Sequence, residues 1–410
     1  MSRLEELIEE LCPNGVEYYP LEEVATIKAR IGWQGLTKKE YLAEGEYYLV
    51  TGVDFENGKI AWDYCHFVTK ERYTQDANIQ LKNGDVLVTK DGTLGKVAFV
   101  ENMTKPATLN SGVFVIRPIK NTLDSRFLYH YLNSPFLMKF AQGQLTGGTI
   151  KHLNQGVIVR LPFPVPPLEV QREIVRVLDF FTLLTAELTA ELTARQKQYG
   201  YYRNKLLSFD TKVASVVELR SVVKKSCSGA TPAKGNSNYY EGGTIPWLRT
   251  QDVRFNEIYQ VDSYITELAV AETGVKWISE NCVIVAISGA TAGRCAINKF
   301  RTTTNQHCLN LEIDADKASY KYIFYCISNK FDELIAKKQG ARGDLNSSLV
   351  LGLRIPLPSL EIQNKIVNIL DNFDAICSDL NIGLPAEIEA RHKQYEYYRD
   401  KLLTFKELSE

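Results

Sequence analysis

The sequence predicts an α+β protein with an internal pseudo-two-fold repeat: two similar bodies of mixed β-sheet and helices, separated by long helices of coiled-coil type. Three observations carry this. Residues 168–208 place Ile174, Leu178, Phe181, Leu188, Leu192, Tyr199, Tyr202 and Leu206 at alternating steps of three and four, with Thr185 and Arg195 at the two slots that break the apolar run. The stretch returns near the C-terminus. The segments ahead of the two copies repeat one order of strands, glycine turns and helix.

The heptad stretch implies a coiled coil rather than a helix buried all round. It contains a tandem four-residue unit, Leu184-Thr185-Ala186-Glu187-Leu188-Thr189-Ala190-Glu191-Leu192-Thr193-Ala194, and no Pro or Gly before Gly200. About 40 residues at 1.5 Å rise predict a rod of roughly 60 Å. In its second copy, Pro166-Pro167-Leu168-Glu169-Val170-Gln171 is answered by Pro358-Ser359-Leu360-Glu361-Ile362-Gln363. Lys197-Gln198-Tyr199-Gly200-Tyr201-Tyr202-Arg203 returns as Lys393-Gln394-Tyr395-Glu396-Tyr397-Tyr398-Arg399. The second copy carries extra residues around Gly383-Leu384-Pro385-Ala386, a stutter at which Pro385 kinks or restarts the helix.

In chain order, Ser2 caps a short acidic helix that Pro13-Asn14-Gly15 stops. In the first body, strands are expected at 47–51, 85–89, 97–100, 112–117 and 157–161, and a helix at 127–133. A glycine-rich loop lies at 143–149, and Pro162, Pro164, Pro166 and Pro167 form a collar before the rod. The second body follows suit, with strands at 247–250, 283–287 and 351–355, a helix at 322–328 and a glycine loop at 340–343. Trp247-Leu248-Arg249-Thr250 is aligned with Tyr48-Leu49-Val50-Thr51. The expected division is residues 1–160, first body; 161–210, central helical repeat; 211–355, second body; and 356–410, C-terminal helical repeat.

The 410 residues are 45% hydrophobic, ample for buried cores. No apolar run reaches membrane-spanning length and the N-terminus lacks signal character, so a cytoplasmic chain is expected. The eight cysteines form no closely spaced pair and the five histidines supply no zinc pattern, so no metal site is expected. The net charge of −1 conceals its distribution: residues 24–160 carry 17 basic against 12 acidic side chains, and residues 211–354 carry 18 against 14.

No catalytic constellation is present. Gly92 and Gly95-Lys96 have the wrong spacing for a P-loop and precede a strand. Nucleophile-elbow, zinc-protease, deaminase and dinucleotide motifs are missing too. The loops suit nucleic-acid readout better, since Arg, Lys, Asn and Gln offer donors to base edges while glycine lets backbone approach phosphate. The first-body candidates are Lys90, Asp91, Thr93, Lys96, Asn110, Thr146 and Lys151; those of the second are Arg249, Gln251, Ser288, Thr291, Arg294, Asn305, Gln306, Lys338, Arg342 and Asn346. On the helical repeats, Gln171, Phe181, Leu188, Leu192, Tyr199 and Tyr202, with Gln363, Phe373, Tyr395 and Tyr398, are candidates for spacer packing or a partner surface. The tyrosines suit packing better than base stacking.

The paired Leu-Glu-(Val/Ile)-Gln segments, both Lys-Gln-Tyr…Tyr-Tyr-Arg segments and the Thr-Ala-Glu-Leu tandem together resemble type I restriction–modification specificity subunits, essentially over the full length. The resemblance implies two target-recognition domains, each followed by a helical repeat, the repeats packing antiparallel as a spacer. It implies a subunit with no catalytic activity that binds a split double-stranded DNA target, one half per domain. The implied partners are two methyltransferase subunits and the restriction–translocation subunits. S-adenosylmethionine, ATP and magnesium would sit on those partners and none on this chain; adenine would be the methylated base. The rival is a duplicated coiled-coil scaffold that binds only proteins, which leaves the glycine loops with varied polar residues unexplained. An RNA-binding module would need aromatic stacking platforms that the strands do not show.

The tandem unit then has a geometric meaning. Four residues advance a helix by about 6 Å and a net turn of roughly 40°, close to one base-pair step of about 34–36° and 3.4 Å. Adding or deleting one Thr-Ala-Glu-Leu unit is expected to shift the half-site spacing by about one base pair, which methylation mapping reads directly.

Overall fold

The computed structural model describes residues 3–119, 121–144, 152–208, 214–337, 344–378 and 382–408. Its chain divides into two units, residues 1–189 with 388–410 and residues 190–387. The sequence blocks and the units therefore divide the chain differently. The C-terminal repeat gives its first helix to the second unit, while residues 388–410 fold with the N-terminal body.

In the first unit a four-stranded antiparallel sheet runs in the order Ala25–Ala29, Val113–Pro118, Val86–Thr89, Val97–Phe99. Beside it, Tyr47–Val50 pairs antiparallel with His66–Val68 and parallel with Ala107–Leu109. The apolar run Val86-Leu87-Val88 is continuous because this sheet is covered on both faces. Val86 and Val88, with Phe114 and Ile116, pack against Phe127 and Leu128 of the helix Ser125–Leu132 and against Ile174 and Leu178. The alternate residues Leu87, Val113 and Val115 meet Val50 and Leu109 of the second sheet.

The second unit repeats this plan. Its central sheet runs Val223–Ser228, Cys308–Ile313, Val283–Ala286, Cys295–Asn298, and adds Glu257–Ile258 at the edge. Val283 and Val285 face the helix Tyr320–Asn329, while Ile284 and Ala286 face Leu248. As in the first unit, a parallel pair, Ile245–Leu248 with Thr302–Thr304, stands at the heart of the smaller sheet.

The long helix spans Leu168–Leu206 without a break at Gly200. Thr185 and Arg195 are half-buried in step with Leu188, Leu192 and Tyr199, so the interrupted seam is one face of the helix. In the first unit Phe181 stacks on Tyr398, centroids 5.5 Å apart. In the second, Tyr202 stacks on Phe373 at 5.9 Å. The second repeat is two helices, Leu360–Ser378 and Leu384–Leu402, and the restart falls at Pro385 as expected.

Each body is bolted to its helix by the glutamine of the repeated motif. Gln171 is fully buried; its Oε1 accepts the Asp124 N–H at 2.8 Å and its amide donates to the carbonyls of Thr122 and Pro166. Gln363 does the same with the Ser319 N–H and the carbonyls of Lys317 and Pro358. One helical stretch further on, Asp179 accepts from His130 at 2.8 Å and pairs with Arg126, while Asp371 accepts from Tyr325 at 2.6 Å and pairs with Lys321.

Several expected elements differ. Residues 157–161 are not a strand: Gln155–Ile158 is a helical turn, and the strand is the proline collar Pro162–Pro164, paired with Tyr18–Pro20. The counterpart at 351–355 is the helix Ser347–Leu351 followed by the strand Arg354–Leu357. A two-stranded ribbon tolerates prolines because their missing N–H groups need no ladder partner. The helix expected at 127–133 ends at Leu132, and a second helix not read from the sequence follows it: the Ser134 hydroxyl caps Pro135–Gly143, with proline in the first turn. The Ser2 cap lies outside the described residues.

Candidate nucleic-acid interface

The two bodies build one turn at the end of the parallel strand pair. In the first, the Thr51 N–H donates to Asp54 at 2.7 Å, and the Asn110 N–H donates to the Val50 carbonyl at 3.0 Å. In the second, the Arg249 N–H donates to Asp252 at 2.8 Å and the Asn305 N–H donates to the Leu248 carbonyl at 3.0 Å. Arg249 therefore stands where Thr51 does, and Trp247 where Leu49 does, one residue away from the alignment read in the sequence. Thr51 turns its hydroxyl onto Asp54 and is buried. Arg249 holds its guanidinium 5.9 Å from the Trp247 ring centroid, and among the described residues its side chain has no hydrogen-bond or ion-pair partner.

Arg249, Asn305 and Gln306 meet on the wall of an open cavity of about 540 Å³, together with Thr231, Lys234, Tyr240, Trp247, Asp262, Ser263, Tyr264 and His307. Trp247 is 6% exposed, and its Nε1 donates to the Ala230 carbonyl at 3.1 Å. The Gln306 carbonyl accepts from the Thr231 hydroxyl, and its amide lies 3.2 Å from His307 Nε2. Two cations, several amide and hydroxyl groups and aromatic planes with one carboxylate form a wall suited to base edges and phosphate alike. Sequence reasoning missed Lys234, Tyr240, Trp247 and His307. The Pro232-Ala233-Lys234-Gly235 turn was a local signal for Lys234, while Trp247 and His307 lie within two residues of the candidates Arg249 and Gln306.

The second group of candidates surrounds the glycine turns. Lys90 lies over the Phe114 ring at 5.6 Å, Asp91 is hydrogen-bonded to His152 at 2.6 Å, and Thr93 and Lys96 are exposed. In the second body the Ser288 hydroxyl donates to Asp344 at 2.5 Å, Thr291 and Arg294 are half-buried, and Gln251 is exposed beside Arg249. The segment after each glycine-rich loop docks on its turn, Leu153 N–H to the Lys90 carbonyl and Leu345 N–H to that of Ile287.

Three expectations are corrected. Of the turn glycines at positive φ, Gly92 and Gly289 have open space at the Cβ position, whereas Gly95 and Gly293 serve packing: a Cβ at Gly95 would strike Met138, and one at Gly293 would come 3.1 Å from the Phe331 ring. Asn346 caps the helix Ser347–Leu351, its Oδ1 accepting the Leu349 N–H at 2.8 Å. Asn110 and Asn305 spend their side-chain oxygens on the N–H groups of Gly112 and His307, so only their amide nitrogens remain for a ligand. Thr146, Lys151, Lys338 and Arg342 lie outside the described residues.

On the helices, Gln171 and Gln363 are sealed inside and cannot meet a partner. Phe181, Leu188, Leu192, Tyr199, Phe373 and Tyr395 are half-buried, whereas Tyr202 and Tyr398 are 42% and 39% exposed. Among the described residues no helix is long and apolar enough to cross a membrane.

Two recognition bodies of one fold, each anchored on a shared helical repeat, with differing polar walls and no catalytic constellation in the sequence, define a duplicated sequence-reading protein. The family model for the type I restriction modification DNA specificity domain matches residues 13–195 and 212–390. The chain is similar to the type I restriction enzyme EcoR124I/EcoR124II specificity subunit of Escherichia coli, 36% identical over 293 residues, 68% of this chain and 70% of that one. A putative type I restriction enzyme specificity subunit of Haemophilus influenzae is 31% identical over 98% of both chains. Among solved structures, a chain from a type I restriction–modification assembly superposes with a TM-score of 0.66 at 18% identity, over 95% of this chain and 98% of that one. The S subunit from M. genitalium gives 0.55 at 15% identity, over 95% and 96%. The chain belongs to the type I restriction–modification DNA specificity family: it is a non-catalytic subunit that confers DNA sequence specificity on a type I restriction–modification complex.

Proposed function

We propose that this chain reads a split double-stranded DNA target, one half-site per body, and that the helical repeats set the distance between the halves. It assembles with two methyltransferase subunits to modify adenine, and with restriction–translocation subunits to cleave unmodified DNA in the cytoplasm. S-adenosylmethionine, ATP and magnesium belong to those partners. One observation supports this above the rest: the two bodies share strand order, turn geometry and the glutamine bolt, yet place different side chains at equivalent turn positions, Thr51 against Arg249 and Asp91 against Ser288. Duplication of the framework with different side chains on its turns is what two readers of different sequences require. Replacing residues 24–160 with the corresponding segment of a relative tests it. Methylation mapping of the chimera should show one half-site changed and the other retained; a change in both halves contradicts the modular reading.

A further inference from the structure

We infer that the second body reads a guanine, and that Arg249 is the residue that reads it. The inference rests on the specificity function above. At the equivalent position of the first body the fold needs only the backbone N–H and the acid that accepts it, Asp54 there and Asp252 here. The side chain of Arg249 is therefore free of any duty in the turn, and among the described residues nothing pairs with it. A half-buried arginine held for stability would be expected to find a carboxylate or carbonyl partner. This one is instead laid over Trp247, whose ring is fixed by its own hydrogen bond to Ala230 and by the edge of Tyr240 at 6.1 Å.

A cation–π contact with a fixed plane narrows the orientations open to the guanidinium, and with no other partner among the described residues its N–H fork remains available for bidentate donation. In the major groove, the O6 and N7 acceptors of guanine match that fork. Phosphate would match it too. Position decides between them: Arg249 lies in a concavity beside the amide groups of Asn305 and Gln306 rather than on a convex rim. Those amide nitrogens can donate to base-edge acceptors, which a phosphate-only site does not need.

The test uses the complete complex with its methyltransferase subunits, carrying Arg249→Ala or Arg249→Lys, and maps methylated sites genome-wide. The wild-type motif should contain a guanine at a fixed position of the half-site read by the second body. In Arg249→Ala that position should become degenerate, discrimination falling by about 10- to 100-fold, with the first half-site and the spacer unchanged. Arg249→Lys keeps the charge but loses the fork, and should relax the same position; it also serves if the alanine variant does not assemble. An unchanged motif with methylation lowered evenly at all sites would mark a phosphate contact and overturn the inference, as would a second half-site without guanine. Failure of the wild-type complex to methylate any split motif would instead overturn the specificity reading itself.

Discussion

Substitution of Gln171 probes the joint on which the first body's orientation depends. The side chain is fully buried and makes three hydrogen bonds of 2.7–2.8 Å. Gln171→Met keeps nearly all the volume and removes all three. It strands the Asp124 N–H and two carbonyls; a buried polar group left unpaired costs about 1–3 kcal/mol, and carbonyls that regain water cost less. A loss of about 3 kcal/mol is therefore expected. Gln171→Ala adds a cavity and should approach about 5 kcal/mol. Asp124 also caps the helix Ser125–Leu132, its carboxylate accepting the N–H groups of Arg126 and Phe127, so the damage should spread into that helix. Hydrogen exchange over residues 122–132 reads it locally: about 3 kcal/mol corresponds to roughly 100-fold faster exchange if local opening limits the rate. The corresponding region of the second unit, residues 317–327, should be unaffected. Exchange within about threefold of wild type in Gln171→Met would refute the claim that these hydrogen bonds hold the joint.

Other outcomes follow from the same geometry. Burial pushes the Asp179 carboxyl up, but the hydrogen bond from His130 and the charge of Arg126 outweigh it and hold the group below its ordinary 3.8. A depressed carboxylate contributes stability above its unfolded pKa and loses it as pH falls through the folded value. Exchange protection in residues 125–132 should therefore hold at pH 5 and fall below about pH 4, and Asp179→Asn should remove that dependence. Burial also pushes the thiols of Cys65, Cys282 and Cys326 up to about 12, and those of Cys295 and Cys308 higher still. At pH 8 a thiol reagent should label the half-buried Cys227 well before these five, which react only on unfolding; mass spectrometry of the native protein checks the order.

The large features were legible because they are periodic. A 39-residue helix imposes its seam on every turn, and Thr185 and Arg195 betray themselves by their register rather than their chemistry. The duplication made the second body readable from the first. The proline strands were not legible, since a residue without an N–H argues against a strand until a two-stranded ribbon accommodates it. The site was half legible. Composition could find Arg249, Asn305 and Gln306, but a polar side chain in a loop reads alike whether it caps a helix, as Asn346 does, or faces a ligand. The one-residue shift that puts Arg249 opposite Thr51 needed the hydrogen bonds of both turns. Gln171 and Gln363 were noticed for their repetition, with packing and a partner surface left as alternatives, because burial of a paired amide depends on carbonyls more than 40 positions away in the chain.

The most direct test is single-molecule methylation sequencing of cells that express this chain with and without its methyltransferase partner. The account predicts methyladenine at one split motif, only when both proteins are present. A soluble, partner-bound chain that adds no methylation would contradict it and leave a protein-binding scaffold in its place.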